Sequence, residues 1–218
     1  MTLALALLLQ AAPWDGCAVD STVLLRTTSG KRVTEERRTL VKLSGATAVV
    51  RVEAAGGPSR DETVSLAAAP DPGGPETKKE KVTIDGKTFD CSVRATEAFQ
   101  GNKFSGSLVK STIWVCAEAP TPGGLVREET ESTQAAVVTR KKSVRLTRVK
   151  ETVKVKGQAV TCWVVETSLD EQDGAQKTVE KAWFSRDVPG WTVRRESKVT
   201  VGDSATTAVV EAVEFAKK

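Results

Sequence analysis

The feature that most constrains this chain is an internal repeat of β-type sequence. The segment KVTIDGKTFDCSV (81–93) aligns with TVKVKGQAVTCWV (152–164). The repeated residues are Gly86 and Gly157, Cys91 and Cys162, Trp114 and Trp183, and the pairs Pro122-Gly123 and Pro189-Gly190. Self-similarity in this order, at a spacing of roughly 70 residues, indicates a duplicated structural unit. We therefore predict two β units, within residues 19–132 and 133–218.

Each copy has the sequence pattern of antiparallel strands joined by tight turns. Apolar residues alternate on both sides of Asp85-Gly86, which is a strong signal for a two-residue hairpin turn. The dipeptides Pro122-Gly123 and Pro189-Gly190 suit a type II turn, because proline fixes φ and glycine accepts a positive φ. Valine and threonine, which favour strands, are abundant in the sequence. The pattern predicts β structure throughout each unit.

Residues 19–69 add further strands ahead of the repeat, and residues 70–80 (PDPGGPETKKE) form a connector rich in proline, glycine and charge. Because sequential strands tend to pair, we predict an all-β antiparallel meander of about 11–12 strands. A meander of this size forms a curved sheet, a half-barrel or a sandwich. The sequence leaves open whether the two units share one sheet or pack face to face.

Composition removes several classes of function. The chain has no histidine, so Ser-His-Asp and Cys-His catalysis and histidine-based metal sites are excluded. The net charge of +4 comes from 32 basic and 28 acidic residues, a mixed surface that argues against nucleic-acid binding. We expect no metal and no cofactor. A hydrolase that works through carboxylates alone stays open as an alternative.

The N-terminus resembles a signal peptide, which we place at residues 1–18. Its apolar run, MTLALALLLQAA, is too short to span a bilayer. Cleavage after Ala18 would leave small residues at the −3 and −1 positions, and cleavage near Ala11 or Ala12 would keep Cys17 instead. Lipidation of Cys17 is the third alternative. The sequence thus predicts an extracytoplasmic protein, periplasmic or secreted, with no transmembrane segment in the mature chain.

The repeat also indicates on which strands the cysteines lie. Cys91 and Cys116 fall on neighbouring strands of the first unit, so we predict that they form a disulfide in an oxidising compartment. The second unit has Cys162 and Ser185 at the equivalent positions. Cys162 either pairs with Cys17 or remains a buried thiol.

Aromatic residues are the remaining candidates for a binding site. Trp114, Trp183, Phe184 and Trp191 are predicted contacts for a ligand on the sheet. The alternative is that the repeated tryptophans are core residues, since large aromatic side chains anchor sheet faces.

The segment 152–197 resembles uncharacterised exported bacterial β-proteins, in which a Gly-x-x-x-x-Cys strand precedes a Trp-x-Ser strand and a Val-Pro-Gly turn. Segment 81–129 shows the same pattern, with Cys116 in place of the serine. More distantly, an exported meander of this length is similar to the half-barrel of lipoprotein carriers of the LolA/LolB type. Those carriers close their apolar face with helices, whereas this sequence has no convincing amphipathic helix.

The sequence therefore predicts a non-enzymatic extracytoplasmic β-protein that binds an apolar ligand, a lipid or an envelope protein on its sheet. The alternative is a purely structural or protein-interaction module. Exposed edge strands of an open meander invite pairing with another chain, so a homodimer is compatible with the sequence.

Overall fold

The computed structural model describes residues 14–66, 74–101, 106–135, 137–171 and 174–218. Within these ranges the chain forms 13 antiparallel strands in a single sheet. Residues 1–13 of the predicted signal peptide and 70–73 of the predicted connector lie outside the described residues. In the described part, no helix is long and apolar enough to cross a bilayer.

The strands are β1 (Thr22–Ser29), β2 (Arg32–Ser44), β3 (Thr47–Ala54), β4 (Arg60–Ser65), β5 (Glu76–Ile84), β6 (Lys87–Gln100), β7 (Ser107–Val115), β8 (Leu125–Gln134), β9 (Val137–Val155), β10 (Gln158–Glu171), β11 (Gln176–Phe184), β12 (Thr192–Val201) and β13 (Ser204–Ala216). A single 3-10 turn, Pro122–Gly124, precedes β8. The predicted all-β antiparallel fold is confirmed, with 13 strands instead of 11–12.

The strand order departs from a simple meander at one place. Strands β5 to β13 follow one another in sequence order, but β13 then pairs with β1, and β1 to β4 complete the sheet. The edges are therefore β4 and β5, which are neighbours along the chain. Because β4 and β5 do not pair with each other, the sheet is open.

This order requires a curved sheet. Twelve spacings of about 4.8 Å would put the edges of a flat sheet about 58 Å apart. Only eight Cα–Cα steps lead from Leu66 to Gly74, and these span at most about 30 Å. The sheet must therefore bend to bring its two edges within reach of this connector.

The predicted hairpin turn joins β5 to β6 at Asp85-Gly86, where both residues have positive φ, 51° and 76°. Lys156-Gly157 joins β9 to β10 in the same way, with φ of 47° and 83°. This left-handed pair is typical of a type I′ turn, whose twist matches that of the flanking strands. The repeat thus carries the same turn in both units.

The buried side chains form two cores, which we name after the repeated tryptophans. The Trp183 core joins β9–β13 to β1–β3, and the Trp114 core joins β5–β8 to β9–β11. Strand β10 contributes side chains to both cores. Cys162 and Val164 belong to the Trp183 core. Trp163 and Val165 belong to the Trp114 core. Because successive residues of a strand point to opposite faces, the stretches Cys162–Val165 of β10 and Ala182–Phe184 of β11, which are buried at every position, form a middle layer that is covered on both sides.

Candidate functional site

The four predicted aromatic contacts all lie inside the cores. Trp114 is 6% exposed, Trp183 7%, Phe184 2% and Trp191 5%. Trp163, which the sequence analysis did not single out, stacks on Phe184 at 6.1 Å and meets Trp191 edge-on at 5.9 Å. These positions favour the core role considered in the sequence analysis, and ligand contact by these residues stays a prediction.

Each repeated tryptophan is covered by an arginine from the repeated sequence. The Arg127 guanidinium lies 4.4 Å from the Trp114 ring, and the equivalent Arg194 lies 5.7 Å from the Trp183 ring. Each arginine also forms an ion pair two residues along its strand, Arg127 with Glu129 and Arg194 with Glu196. A guanidinium held over an indole face blocks stacking by a ligand.

A carboxylate completes this network in both units. Trp183 Nε1 donates a hydrogen bond to Glu151 Oε1 at 2.8 Å. Glu80, the equivalent of Glu151, has a lowered pKa because of Lys78 and, to a lesser degree, the Trp114 indole. Trp114 Nε1 nevertheless makes no hydrogen bond of normal length. The network of tryptophan, arginine and glutamate therefore recurs at the positions paired by the repeat, but the hydrogen bond from the indole to the carboxylate is present only in the second unit.

The loop after each repeated tryptophan is closed in the same way. The Cys116 N–H donates to the Gly124 carbonyl at 2.8 Å, and the Ser185 N–H donates to the Trp191 carbonyl at 2.9 Å. The predicted turn glycines, Gly123 and Gly190, have positive φ of 61° and 78°, each directly after its proline, Pro122 or Pro189. The duplication remains a prediction, and this matching loop geometry favours it.

The predicted cysteine partners are adjacent. Cys91 Sγ and Cys116 Sγ lie 2.9 Å apart as a thiol pair, and both residues are buried. Burial, followed by the nearby Cys116, raises the pKa of the Cys91 thiol to about 12. Cys17 and Cys162 are thiols in the Trp183 core. Burial also raises the pKa of Cys162 to about 12, so neither Cys91 nor Cys162 is a reactive thiolate at neutral pH.

A different cluster of polar side chains occupies one face of β8–β12. This surface, which we call the polar face, consists of Glu128, Thr130, Lys142, Leu169, Thr178, Glu180 and Arg195. Register brings these residues together: Leu169 pairs with Lys142 on one side and with Thr178 on the other. Thr178 is 4% exposed, whereas Val179 on the opposite face is 42% exposed. Burial of one face alone indicates the concave side of the curved sheet.

The charges on the polar face are paired with each other. Lys142 Nζ and Thr130 Oγ1 both donate to Glu128 Oε1, each at 3.1 Å. Arg195 Nε lies 3.5 Å from Glu180 Oε1. Burial raises the pKa of the Glu180 carboxyl, and Arg195 partly opposes that shift. The face is therefore charged in its parts but internally balanced.

Three buried atoms of the polar face lack hydrogen bonds within the described part of the chain: Glu128 Oε2, Thr178 Oγ1 and Arg195 Nε. Buried polar atoms are normally satisfied by protein, water or ligand, and each one left alone costs free energy. An acceptor, a hydroxyl and a donor are thus concentrated on one concave surface.

Hydrolysis by a carboxylate pair stays a prediction. Glu128 and Glu180, the two carboxylates of the polar face, lie on β8 and β11, three strand spacings apart along the curved sheet. In the described ranges, no group of three or more acidic or cysteine side chains could hold a metal ion.

The polar face was not predicted from the sequence, because its members belong to several strands and look like ordinary solvated residues. The available signal was alternation: Glu128 and Thr130 on β8, and Thr178 and Glu180 on β11, are polar at every second position. Alternation alone does not reveal which face becomes concave, since curvature depends on the pairing of β13 with β1.

Comparison with known proteins returned no matching family model and no matching curated protein. Among solved structures, the chain is similar to a protein of Parabacteroides distasonis classed provisionally as a lipoprotein, at 7% identity and a TM-score of 0.42, covering 94% of this chain and 99% of that one. It is also similar to a protein of Bacteroides fragilis classed provisionally as exported with a YmcC-like fold, at 10% identity and a TM-score of 0.39, covering 92% and 97%.

Proposed function

We propose that this protein is a non-enzymatic extracytoplasmic β-protein that binds an uncharged, polyhydroxylated ligand, such as an envelope glycan, on its polar face. The observation that carries the proposal is the set of three buried atoms without hydrogen bonds on that face. A hydroxyl group both donates and accepts. A ligand with several hydroxyl groups could therefore satisfy the Glu128 acceptor on β8 and the Arg195 donor on β12, four strands away, through different hydroxyl groups.

The charge balance of the polar face supports an uncharged ligand. Glu128 is neutralised by Lys142, and Glu180 by Arg195, so a ligand with net charge would meet no complementary excess. An apolar ligand would cover these ion pairs and leave their unpaired atoms unsatisfied, which is costly. Binding of a lipid or another apolar ligand on the sheet, as expected from the sequence, is thus less well supported than binding of a hydroxyl-rich one.

The extracytoplasmic location rests on the apolar N-terminal run and on the cysteines of the first unit. We propose that Cys91 and Cys116 are joined by a disulfide in the exported protein. In thiol–disulfide exchange with a donor disulfide, both thiols lose their protons and a sulfur–sulfur bond forms. The donor is reduced to two thiols. Two buried sulfur atoms 2.9 Å apart need little movement to form this bond.

The test is saturation-transfer NMR with three neutral oligosaccharides, cellohexaose, chitohexaose and maltohexaose, followed by titration of any that binds. Thr178→Val keeps the side-chain shape and removes the unpartnered hydroxyl. Loss of one ligand hydrogen bond should weaken binding about 3- to 10-fold. Glu128→Gln should weaken binding by a similar factor, because an amide oxygen is a poorer acceptor than a carboxylate.

Glu166→Gln is the matched control, since Glu166 is an exposed residue of β10 on the opposite face. It should leave the affinity unchanged. If none of the oligosaccharides binds, or if Glu166→Gln weakens binding as much as Thr178→Val, the proposal is wrong. Binding of phospholipid vesicles instead would favour the lipid ligand expected from the sequence.

A structural or protein-interaction module is the second candidate, and the burial of all four predicted aromatic contacts favours it. Edge strands β4 and β5, each paired on one side only in the described chain, offer backbone groups to a partner. This candidate predicts blue-shifted tryptophan emission that acrylamide quenches poorly and that no oligosaccharide alters. Emission that responds to an added oligosaccharide would reject it.

A further inference from the structure

The segment Trp14–Ser21 is packed into the fold as part of the Trp183 core. Trp14 is 3% exposed and Cys17 7% exposed, and both belong to that core. The Trp14 ring lies against Gly190, where an added Cβ would be only 3.7 Å from Cζ2. The repeated turn of the second unit therefore has a side chain from the far N-terminus seated on it.

Backbone hydrogen bonds hold this segment to two distant parts of the chain. The Asp20 N–H donates to the Leu40 carbonyl at 2.8 Å, and the Leu40 N–H donates to the Ser21 carbonyl at 2.9 Å. The Ala18 N–H donates to the Lys218 carbonyl at 3.0 Å. The segment is thus bonded to β2 and to the C-terminus, as well as packed in the core.

Cys17 is poorly placed for lipidation in this arrangement. Its thiol is buried beside Ser21 and Lys217, and burial raises the pKa of the Cys17 thiol. In a bacterial lipoprotein the acylated cysteine becomes the first residue, which here would remove Trp14 and place acyl chains inside a packed core. Cleavage after Ala18 would remove both Trp14 and Cys17 and leave a cavity there.

We propose that the mature protein keeps Trp14 to Ala18, that any leader removed from it ends before Trp14, and that Cys17 remains an internal, unacylated thiol. This boundary lies upstream of the one expected after Ala18 and agrees with the alternative of cleavage near Ala11 or Ala12. The buried Trp14 side chain then completes the Trp183 core.

The direct test is the intact mass and N-terminal sequence of the protein recovered from cells that export it. The expected result is a chain that begins at or before Trp14, with no acyl mass. A chain that begins at Cys17 with acyl groups, or at Val19, would overturn the proposal.

A second test measures how much the buried Trp14 side chain stabilises the fold. Recombinant chains that begin at Pro13 and at Val19 are compared by thermal unfolding, and the shorter chain should melt about 10 °C lower or fail to fold. Trp14→Ala in the longer chain should lower the midpoint by a similar amount. Phe99→Ala is the matched control, since Phe99 is 59% exposed, and should leave the midpoint unchanged. Equal unfolding midpoints for the two chains would contradict the claim that Trp14 completes the core.

Discussion

The two predicted units bury their tryptophans in the same way but differ on the opposite face of the sheet. Both place an arginine over the indole and close the following loop with the same backbone hydrogen bond. The difference lies at three paired positions. The first unit has Ser92, Val115 and Gly124, where the second has Trp163, Phe184 and Trp191.

The position of each unit in the sheet accounts for this difference. The second unit supplies β10 and β11, which are covered on both faces, and its three aromatic side chains fill the Trp114 core. The same face of the first unit has no such core on it, and Ser92 and Val115 are only partly buried. Trp191 even adopts a positive φ of 59°, at the place where the first unit has Gly124 with φ 71°. Coverage by neighbouring layers therefore accounts for Trp163 and Phe184 in place of Ser92 and Val115. At Gly124 the reason is local, because an added Cβ would clash with the Cys116 carbonyl.

The largest expected effect comes from removing an aromatic residue that only the middle layer has. Trp163→Ala should lower the free energy of unfolding by about 3–5 kcal/mol, because it leaves a cavity in the Trp114 core. Ser92→Ala, at the equivalent position of the first unit, should change it by less than about 0.5 kcal/mol. Urea denaturation of both variants measures the difference. Similar losses of stability for the two variants would contradict the claim that neighbouring layers cover Trp163 but not Ser92.

The next effect concerns the cysteine pair, which only the first unit has. If Cys91 and Cys116 are joined, reduction should lower the free energy of unfolding by about 3 kcal/mol, since the bond closes a loop of about 25 residues. Guanidinium denaturation with and without dithiothreitol measures this loss. A Cys91→Ser, Cys116→Ser double variant should be insensitive to dithiothreitol. An unchanged midpoint for the reduced wild-type chain would indicate that the pair is not bonded.

The smallest effect tests the unpaired thiol of the second unit. Burial raises the pKa of Cys162 in the folded chain to about 12, from 9.0. The contribution of this thiol to the free energy of unfolding is therefore fully present below about pH 9 and is lost as the pH rises towards 12. Between pH 8 and pH 10 the wild-type chain should lose roughly 1 kcal/mol more stability than Cys162→Ala. Denaturation at both pH values measures the difference. Parallel losses would mean that this thiol ionises as easily in the folded chain.

Local pattern predicted much of this fold. Alternating apolar residues around Asp85-Gly86 predict the hairpin that the structure contains, because turn chemistry and strand period are both local. The spacing of the repeat also identified Trp114 and Trp183 as equivalent residues, and both lie in cores. Within β9, Val144 is buried and Lys141 exposed, as expected from the alternation of apolar and polar residues along a strand.

What the sequence could not reveal was long-range pairing. Strand β1 pairs with β13 across nearly the whole chain, and no turn signal encodes that contact. This pairing brings β1–β3 into the Trp183 core and makes β4 and β5 the edges of the sheet, so that core and the curvature of the sheet both depend on it. The burial of Trp14 follows in the same way, since Leu40 and the C-terminus must first be brought together.

The most direct measurement of the claim that the two units share one local architecture is an engineered bond in the second unit. Ser185→Cys places a thiol at the position equivalent to Cys116, opposite Cys162, in a loop closed by the same backbone hydrogen bond. After oxidation and non-reducing peptic digestion, mass spectrometry should find a bridge between Cys162 and the introduced thiol, beside the bridge between Cys91 and Cys116. If the introduced thiol and Cys162 instead remain unbridged and alkylate on unfolding, the two units do not share this geometry.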